Sequence, residues 1–530
     1  MRKLIVNGQE ITSVRISCGE SEAEQYAAAE LGRYFEKFGI SADGMYPVQI
    51  YLDTQLKPDA CRISLPEEGG ISIAGGNGRG AIYGVYEFLE RYAGCRFFLP
   101  DLETYGDGDI VVDKEWAHTP VFESRQSDWV CGDDLVWSVK NRINNRYFPN
   151  HTLFPEKYGG GQKIWGFVHT LAELTETPAD VQPCLSDPEN LDKTIRKVRN
   201  ILKEAPDTTV VAVSQNDNQR YCTCEKCNAV FAEEGSQSGI LLRFVNAVAD
   251  SVRDDYPDVV IETLAYHYTT DPPKITKPRE NVCIRLCSVY LCPSHSLLDD
   301  TCISNRDFRN QILWWNEICD RLYLWDYTTN FFHYIPTLPN FYTLRDTMRF
   351  YAEHGVKGIY PEGNYTSPAS GEFGELRCYL LARLMWDPMM AEQEYLRHMD
   401  EFMAAYYGEG WRFIRCYLDF VTQESRRYHT YWWTSETWLF HKDCYIPMEE
   451  TLDGLWDKAE ELAGDRIDAV KRSRMQWRYI KLMMHPDADV GRAFLEDAKM
   501  YGIHFKESVD FPPDDADLSQ TPDMWTVKKA

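Results

Sequence analysis

Four carboxylates stand out because each follows or closes a short apolar run. They are Asp128 in Ser124-Arg125-Gln126-Ser127-Asp128-Trp129, Asp217 in Gln215-Asn216-Asp217-Asn218, Asp326 closing Leu322-Tyr323-Leu324-Trp325-Asp326, and Glu362 after Ile359-Tyr360-Pro361. Paired carboxylates suit the hydrolysis of glycosidic bonds: an acid protonates the leaving oxygen while a second group stabilises or traps the oxocarbenium-like centre. The acid must keep its proton near neutral pH, and burial beside aromatics or other carboxylates does that. Asp326 lies between Trp325 and Tyr327, and Glu362 has Tyr360 and Tyr365 close by in the chain. Glu262 sits at the start of its apolar run, so it is expected on the opposite rim and is left out. Singly, each carboxylate fits a helix cap or an ion pair as well as catalysis; the set points to chemistry. Glu362, Asp217 and Asp326 are the candidate catalytic residues, and Asp128 joins the candidate binding residues.

Hydroxyl-rich ligands are held by neutral donors and acceptors and by flat aromatic faces. His169 ends an apolar run, Tyr266 and His267 stand in Tyr266-His267-Tyr268, and Asn216, Trp325 and Asn364 flank the carboxylates; with these they form the candidate sugar site. His151, in Pro149-Asn150-His151, is a further candidate. A satisfied structural role is the alternative reading for any one histidine. Cys222, Cys224 and Cys227 crowd into six residues, which matches half of a thiolate zinc site, and Cys184 in Gln182-Pro183-Cys184-Leu185 could supply the fourth ligand. Such a closed site would be structural, and the alternative is reduced or disulfide-linked cysteine. The hydrolysis itself calls for no cofactor. No G-x-S-x-G, H-E-x-x-H or kinase motif set is present, which leaves serine-hydrolase, zinc-protease and phosphotransfer chemistry without support.

Positioning such residues requires strands that end together. Apolar runs at Val121–Arg125, Asn145–Phe148, Ile164–His169, Thr209–Ser214, Val259–Tyr266, Val282–Ser288, Leu322–Asp326 and Gly358–Pro361 alternate with helical periods at Asp192–Glu204, Gly239–Asp254, Asn305–Arg321 and Leu344–Glu353. Near-continuous apolar strands alternating with helices read as a parallel sheet buried on both faces, and eight of them predict an α/β fold of the (β/α)8 (TIM) barrel type. Residues 1–115 read as a separate α/β domain, 116–371 as the barrel and 372–530 as an α-helical domain. An acidic, proline-containing tail from about Pro512 is expected to be loosely ordered. Gly75 to Gly80, GGNGRG, lacks both the P-loop lysine and G-x-G-x-x-G spacing, so it reads as a tight turn needing positive φ rather than a phosphate cradle.

At 530 residues the chain exceeds one hydrophobic core. A net charge of −26, with no basic stripe, argues against nucleic acid and against anionic membranes. No run approaches a membrane span, and Leu4–Val6 is too short for a signal-peptide core. Sixteen cysteines without such a signal suggest a cytoplasmic protein, a trimmed leader being the alternative. The sequence leaves a homo-oligomer open.

Several segments then carry a resemblance. GNGRGAIYGVYEFLERYAGCRFFLP resembles the end of the domain preceding the barrel in bacterial α-glucuronidases and β-N-acetylhexosaminidases. VSQNDNQRYCTCEKC, YHYTTDPPK, LYLWDYTTNF, PEGNYTSPASGEFGELRCYLLARLMWDP and the later YYG resemble the bacterial family DUF4838, partly assigned to glycoside hydrolase family 163. That resemblance covers nearly the whole chain. It implies an N-terminal α/β domain, a catalytic barrel and a helical C-terminal region. It also implies endo-β-N-acetylglucosaminidase chemistry on glycans, with the substrate's acetamido group as nucleophile. Relatives using this chemistry often carry an adjacent acidic pair after the fourth strand, where this chain has Asn216-Asp217, with one carboxylate. The expected activity is hydrolysis of a β-linked N-acetylglucosaminide in an oligosaccharide or N-glycan fragment. Glu362 is the acid, with Asp217 and Asp326 orienting or stabilising. The rivals are an α-glucuronidase-like exo-hydrolase, with Arg125 or Arg377 receiving the uronate, and a glycan-binding protein on a degenerate barrel.

Overall fold

The apolar runs spaced along residues 121–361 form one parallel sheet in the computed structural model, which describes residues 2–146, 154–431 and 442–526. Its strands are β1 (Ser124–Arg125), β2 (Ile164–Trp165), β3 (Val210–Ala212), β4 (Val260–Ala265), β5 (Val282–Cys287), β6 (Leu322–Tyr327) and β7 (Val356–Glu362). The spatial order is β1-β7-β6-β5-β4-β3-β2, and every neighbouring pair is parallel. Parallel neighbours need crossovers, supplied by helices Pro188–Glu204, Gln237–Val252, Ile303–Asn316 and Leu344–Glu353. The edge strands are β1 and β2, and because every pair is parallel the C-terminal ends of the strands share one rim.

The strand expected at Asn145–Phe148 is reduced to a single parallel bridge between Gln126 and Asn145; residues 147–153, and with them His151, lie outside the described residues. The reason is chemical. The Asn144 amide accepts from the Arg125 N–H at 2.8 Å and donates to the Glu123 carbonyl at 2.8 Å, so a side chain takes ladder partners that a strand's backbone would use. Asn145 then pairs with Gln162, just before β2, through two bonds of 2.8 Å.

Alternation along the strands stacks the interior in layers. Glu262 and Arg285 form a buried ion pair at 2.7 Å, and two residues further along the same strands Leu264 and Cys287 floor a cavity. Glu262 is therefore on the buried face of the sheet, one layer below the cavity, rather than out on the opposite rim.

The N-terminal region has a five-stranded sheet covered by helices Glu22–Phe38 and Gly78–Ala93. The glycine turn between Ile71–Gly75 and the second helix does not use positive φ, contrary to the sequence reading. Its glycines are required by close approach: a Cβ at Gly76 would lie 1.9 Å from the Lys57 carbonyl oxygen, and one at Gly75 2.0 Å from the Ala81 nitrogen. Arg79 of this turn bonds Asp59 at 2.7 Å, and Asp59 also receives Arg125 at 2.7 Å. Glu90 receives Arg142 and Arg383, each at 2.7 Å, so buried charge ties this region both to the sheet and to helix Gly374–Trp386.

Beyond residue 372 the chain is helical, with long helices Gly374–Trp386, Glu392–Tyr407, Trp411–Ser425, Glu449–Leu462, Ile467–Met484 and Ala488–Tyr501. The tail expected to be loose is docked instead. Trp525 is 1% exposed in an apolar cluster with Tyr479, Phe494 and Phe505, because burial of this one large aromatic offsets the ordering of an otherwise polar segment. Among the described residues, no helix is long and apolar enough to cross a membrane.

Candidate functional site

A cavity of ≈ 300 Å³ opens where the strands end, the rim on which barrel enzymes carry their chemistry. Its wall is largely aromatic: Phe167, Tyr266, Trp325, Tyr327, Phe331 and Tyr365. Among them stand three carboxylates, Asp217, Glu362 and Glu507, and no lysine or arginine belongs to the described wall.

Glu362 is the last residue of β7 and is buried. The Trp325 indole N–H donates to its Oε2 at 2.6 Å. Burial pushes the Glu362 carboxyl well above the usual carboxylate range, and the neighbouring charge of Asp128 pushes it further up against that hydrogen bond. Asp128 is buried behind the wall, where it accepts from the Tyr360 hydroxyl at 2.8 Å and the Gly363 N–H at 2.7 Å, and burial raises it as well. Two buried carboxyls this closely linked resist ionising together, which favours one retained proton.

Asp217 lies exposed on the loop after β3 and accepts from the Tyr266 hydroxyl at 3.1 Å. His169 is held at a φ of 60°, a conformation costly for a residue with a Cβ. Its N–H is fixed by Ser214 Oγ at 2.9 Å, and its Nδ1 donates to the Gln215 carbonyl at 2.7 Å, which leaves Nε2 as the acceptor of the neutral ring. His169, Asp217, Tyr266, Trp325 and Glu362 are thus brought together on one wall.

Other expected members are placed elsewhere. Asp326 is buried between Trp325 and Tyr327, and because both neighbours face the cavity, alternation turns Asp326 away, toward Ser288 (2.8 Å) and the Tyr351 hydroxyl. It borders a separate small space of ≈ 20 Å³. Asn216 is buried and serves the backbone: its amide receives the Ala172 N–H at 2.9 Å and donates to the Val181 carbonyl at 2.6 Å. A carboxylate there could accept the first bond but not make the second. His267 packs 3.9 Å from the Tyr266 ring, off the wall, with burial lowering its imidazole. Asn364 is buried and also off the wall.

The arginines offered for a uronate are both committed. Arg125 bonds Asp59 and the carbonyls of Arg142 and Phe122, and Arg377 pairs with Glu372 at 3.0 Å; both are fully buried. Glu507 was absent from the sequence reading altogether. The segment after helix Ala488–Tyr501 returns to the rim, where the Glu507 N–H donates to the Phe331 carbonyl at 3.0 Å and its carboxylate accepts from Tyr365 at 2.8 Å. No local pattern near Glu507 marks it, and Phe167, in the run Ile164–His169, lines the cavity together with its neighbours Val168 and His169, so alternation does not single it out.

Cys184, Cys222, Cys224 and Cys227 converge with all four sulfurs within 4.8 Å of one another. Cys184 lies 3.8 Å from both Cys224 and Cys227. Zinc–sulfur bonds at the tetrahedral angle give sulfur–sulfur edges of about 3.8 Å, so the donor set fits that ion. The same loop bears Asp217, and Gln182, beside Cys184, donates to the Asn216 carbonyl at 2.7 Å.

A sequence model of the family described as "Domain of unknown function (DUF4838)" matches residues 105–419. No curated protein matches the sequence. Among solved structures the chain is similar to a family GH115 4-O-methyl-α-glucuronidase with specificity for decorated arabinogalactans: TM-score 0.54, 11% identity, 98% of this chain and 80% of that one. It is also similar to a family 89 glycoside hydrolase from Clostridium perfringens in complex with 2-acetamido-1,2-dideoxynojirmycin: TM-score 0.52, 10% identity, 90% of this chain and 65% of that one. At these identities the likeness establishes a shared fold.

Proposed function

This chain belongs to the DUF4838 family, and from that premise and the chemistry of the cavity we propose that it is a glycoside hydrolase cleaving a β-linked N-acetylglucosaminide in an oligosaccharide or N-glycan fragment. The observation that carries the proposal is Glu362: a buried carboxyl whose surroundings push its pKa upward, on the wall of an aromatic cavity that also bears Asp217. The shared fold supports the reading, since the similar proteins are described as glycoside hydrolases and one as bound to a 2-acetamido sugar analogue. The absence of cationic residues from the described wall, with three carboxylates on it, favours a neutral sugar over a uronate.

In the proposed reaction the acetamide carbonyl oxygen of the substrate attacks the anomeric carbon as the glycosidic C–O bond breaks. Glu362 gives its proton to the departing oxygen. Asp217, steadied by Tyr266, accepts the acetamide N–H and stabilises the positive charge of the cyclic oxazolinium. Water then opens that ring, returning its proton to Glu362 and releasing the sugar. Phe167, Trp325 and Tyr365 offer flat faces to the pyranose, and His169 Nε2 accepts from a hydroxyl.

The sheet is read as an eightfold barrel whose second strand has shrunk to the Asn145 bridge, within a chain divided at about residues 115 and 371. A structural zinc held by Cys184, Cys222, Cys224 and Cys227 is part of the proposal; its role is to fix the Asp217 loop.

The test compares aryl β-N-acetylglucosaminide with aryl glucuronide and aryl β-glucoside, using the unaltered chain and Glu362→Gln. Turnover of the N-acetylglucosaminide alone, lost by about 10²- to 10⁴-fold in Glu362→Gln, is expected. Sugar binding without turnover, or unchanged rates in the variant, overturns the proposal.

A further inference from the structure

The loop after β5 and the segment after helix Trp411–Ser425 meet at four side chains with no part in the cavity: Cys292, His295, Cys302 and His429. Their ligand-capable atoms all lie within 4.8 Å of one another. Cys292 Sγ is 3.3 Å from His295 Nδ1, and Cys302 Sγ is 3.6 Å from His429 Nδ1. Zinc–sulfur and zinc–nitrogen bonds at the tetrahedral angle give sulfur–nitrogen edges of about 3.6 Å, so these spacings suit an ion at the centre.

The surroundings are those of a built site. His295 Nε2 lies 3.0 Å from the Arg426 carbonyl oxygen. A carbonyl can only accept, so Nε2 carries the hydrogen and Nδ1, the atom beside Cys292, has its lone pair free; second-shell bonds of this kind orient metal-binding histidines. The Thr430 N–H donates to Cys292 Sγ at 3.4 Å, which steadies a thiolate. Both cysteines are fully buried, while His295 is half-buried and His429 exposed. A disulfide would account for two sulfurs meeting, but not for two imidazoles converging on them.

We propose that Cys292, His295, Cys302 and His429 form a second, separate structural zinc site. Two thiolates and two neutral imidazoles around Zn²⁺ sum to zero charge, which suits a centre whose sulfurs are buried. Four protein ligands leave no open position, so the role is to hold structure. The ion would clamp the helical C-terminal region onto the loop that begins at Ser288, the residue bonded to Asp326. A direct bond from Ser294 Oγ to Thr430 Oγ1, 2.8 Å, lies beside it.

The experiment measures zinc per chain in the purified full-length protein, then exchanges zinc for cadmium and records cadmium NMR, whose shift separates four-sulfur from two-sulfur, two-nitrogen coordination. A two-sulfur, two-nitrogen resonance is expected, together with loss of that resonance and of one metal equivalent in His429→Ala. His429 is exposed, so its removal spares the core; Cys302→Ser should lose the same resonance and the same metal equivalent. That resonance appearing alone supports this site whatever becomes of the four-cysteine cluster. Metal showing only four-sulfur coordination, His429→Ala retaining every equivalent with an unchanged spectrum, or a Cys292–Cys302 disulfide in the intact protein overturns the proposal.

Discussion

The Trp325 indole N–H donates to Glu362 at 2.6 Å, across neighbouring strands whose register sets Trp325 against Tyr360 and Tyr327 against Glu362. The bond favours the ionised carboxylate, while burial and Asp128 favour the acid. Trp325→Phe keeps an aromatic face and deletes only the donor. Losing a hydrogen bond to a charged group, about 1.5–3 kcal/mol, should raise the Glu362 pKa by about one unit or more. Activity that depends on protonated Glu362 falls as pH rises through that pKa, so the alkaline limb of kcat/KM should move to higher pH. A limb that stays where it is would separate the acid from Glu362.

Asp217 is exposed and can be changed without cost to the core. Asp217→Asn should lower kcat on an N-acetylglucosaminide by about 10²-fold, with Tyr266→Phe producing a smaller loss in the same direction. Melting temperature should barely move in Asp217→Asn. Steady-state kinetics on aryl substrates decide the matter, and near-normal kcat in Asp217→Asn would rule out acetamido assistance through this residue.

Asp326 offers a pH test independent of catalysis. Burial raises its carboxyl from 3.8 to about 6 against the hydrogen bond from Ser288. The folded chain therefore holds this proton more tightly than the unfolded one. The contribution to stability is fully present below about pH 4 and is lost as pH rises through about 6. A shift of this size corresponds to at most about 3 kcal/mol. Asp326→Asn cannot titrate, so its stability should fall less between about pH 4 and about pH 7. Urea unfolding at the two pH values measures this, and activity should stay close to that of the unaltered chain.

Cys184→Ser combined with Cys224→Ser should remove one zinc equivalent and loosen the loop that Gln182 and Asn216 hold together. Elemental analysis should register the loss, and KM should rise severalfold while the melting temperature of the whole falls modestly. Metal content equal to that of the unaltered chain would leave the four thiols without an ion.

Much of the framework is legible in the sequence because it is periodic. Leu344–Glu353 has the same bounds in the sequence reading and in the structure, and five of the seven parallel strands fall inside the apolar runs that announce them, while Leu322–Tyr327 and Val356–Glu362 run past theirs. What escapes is parity and distance. Trp325 and Asp326 both close an apolar strand, and only one of two neighbours can face the cavity; the run shows where the strand ends but not its phase. Asn216 and Asp217 divide the same way, one serving the backbone and the other the rim. The second strand escapes because Asn144 and Asn145 replace a ladder with side-chain amides, which no apolar pattern announces. Glu507 joins the wall through contacts with Phe331 and Tyr365, far away in sequence, and local composition says nothing about such partners.

That long-range contact also makes the cavity depend on a distant part of the chain. The parallel sheet has its last strand at Glu362, yet Glu507 on the cavity wall belongs to a segment that follows every long helix of the C-terminal region. The cavity is complete only with residues 503–507 in place, held by the Tyr334 N–H on the Phe505 carbonyl and the Glu507 N–H on the Phe331 carbonyl.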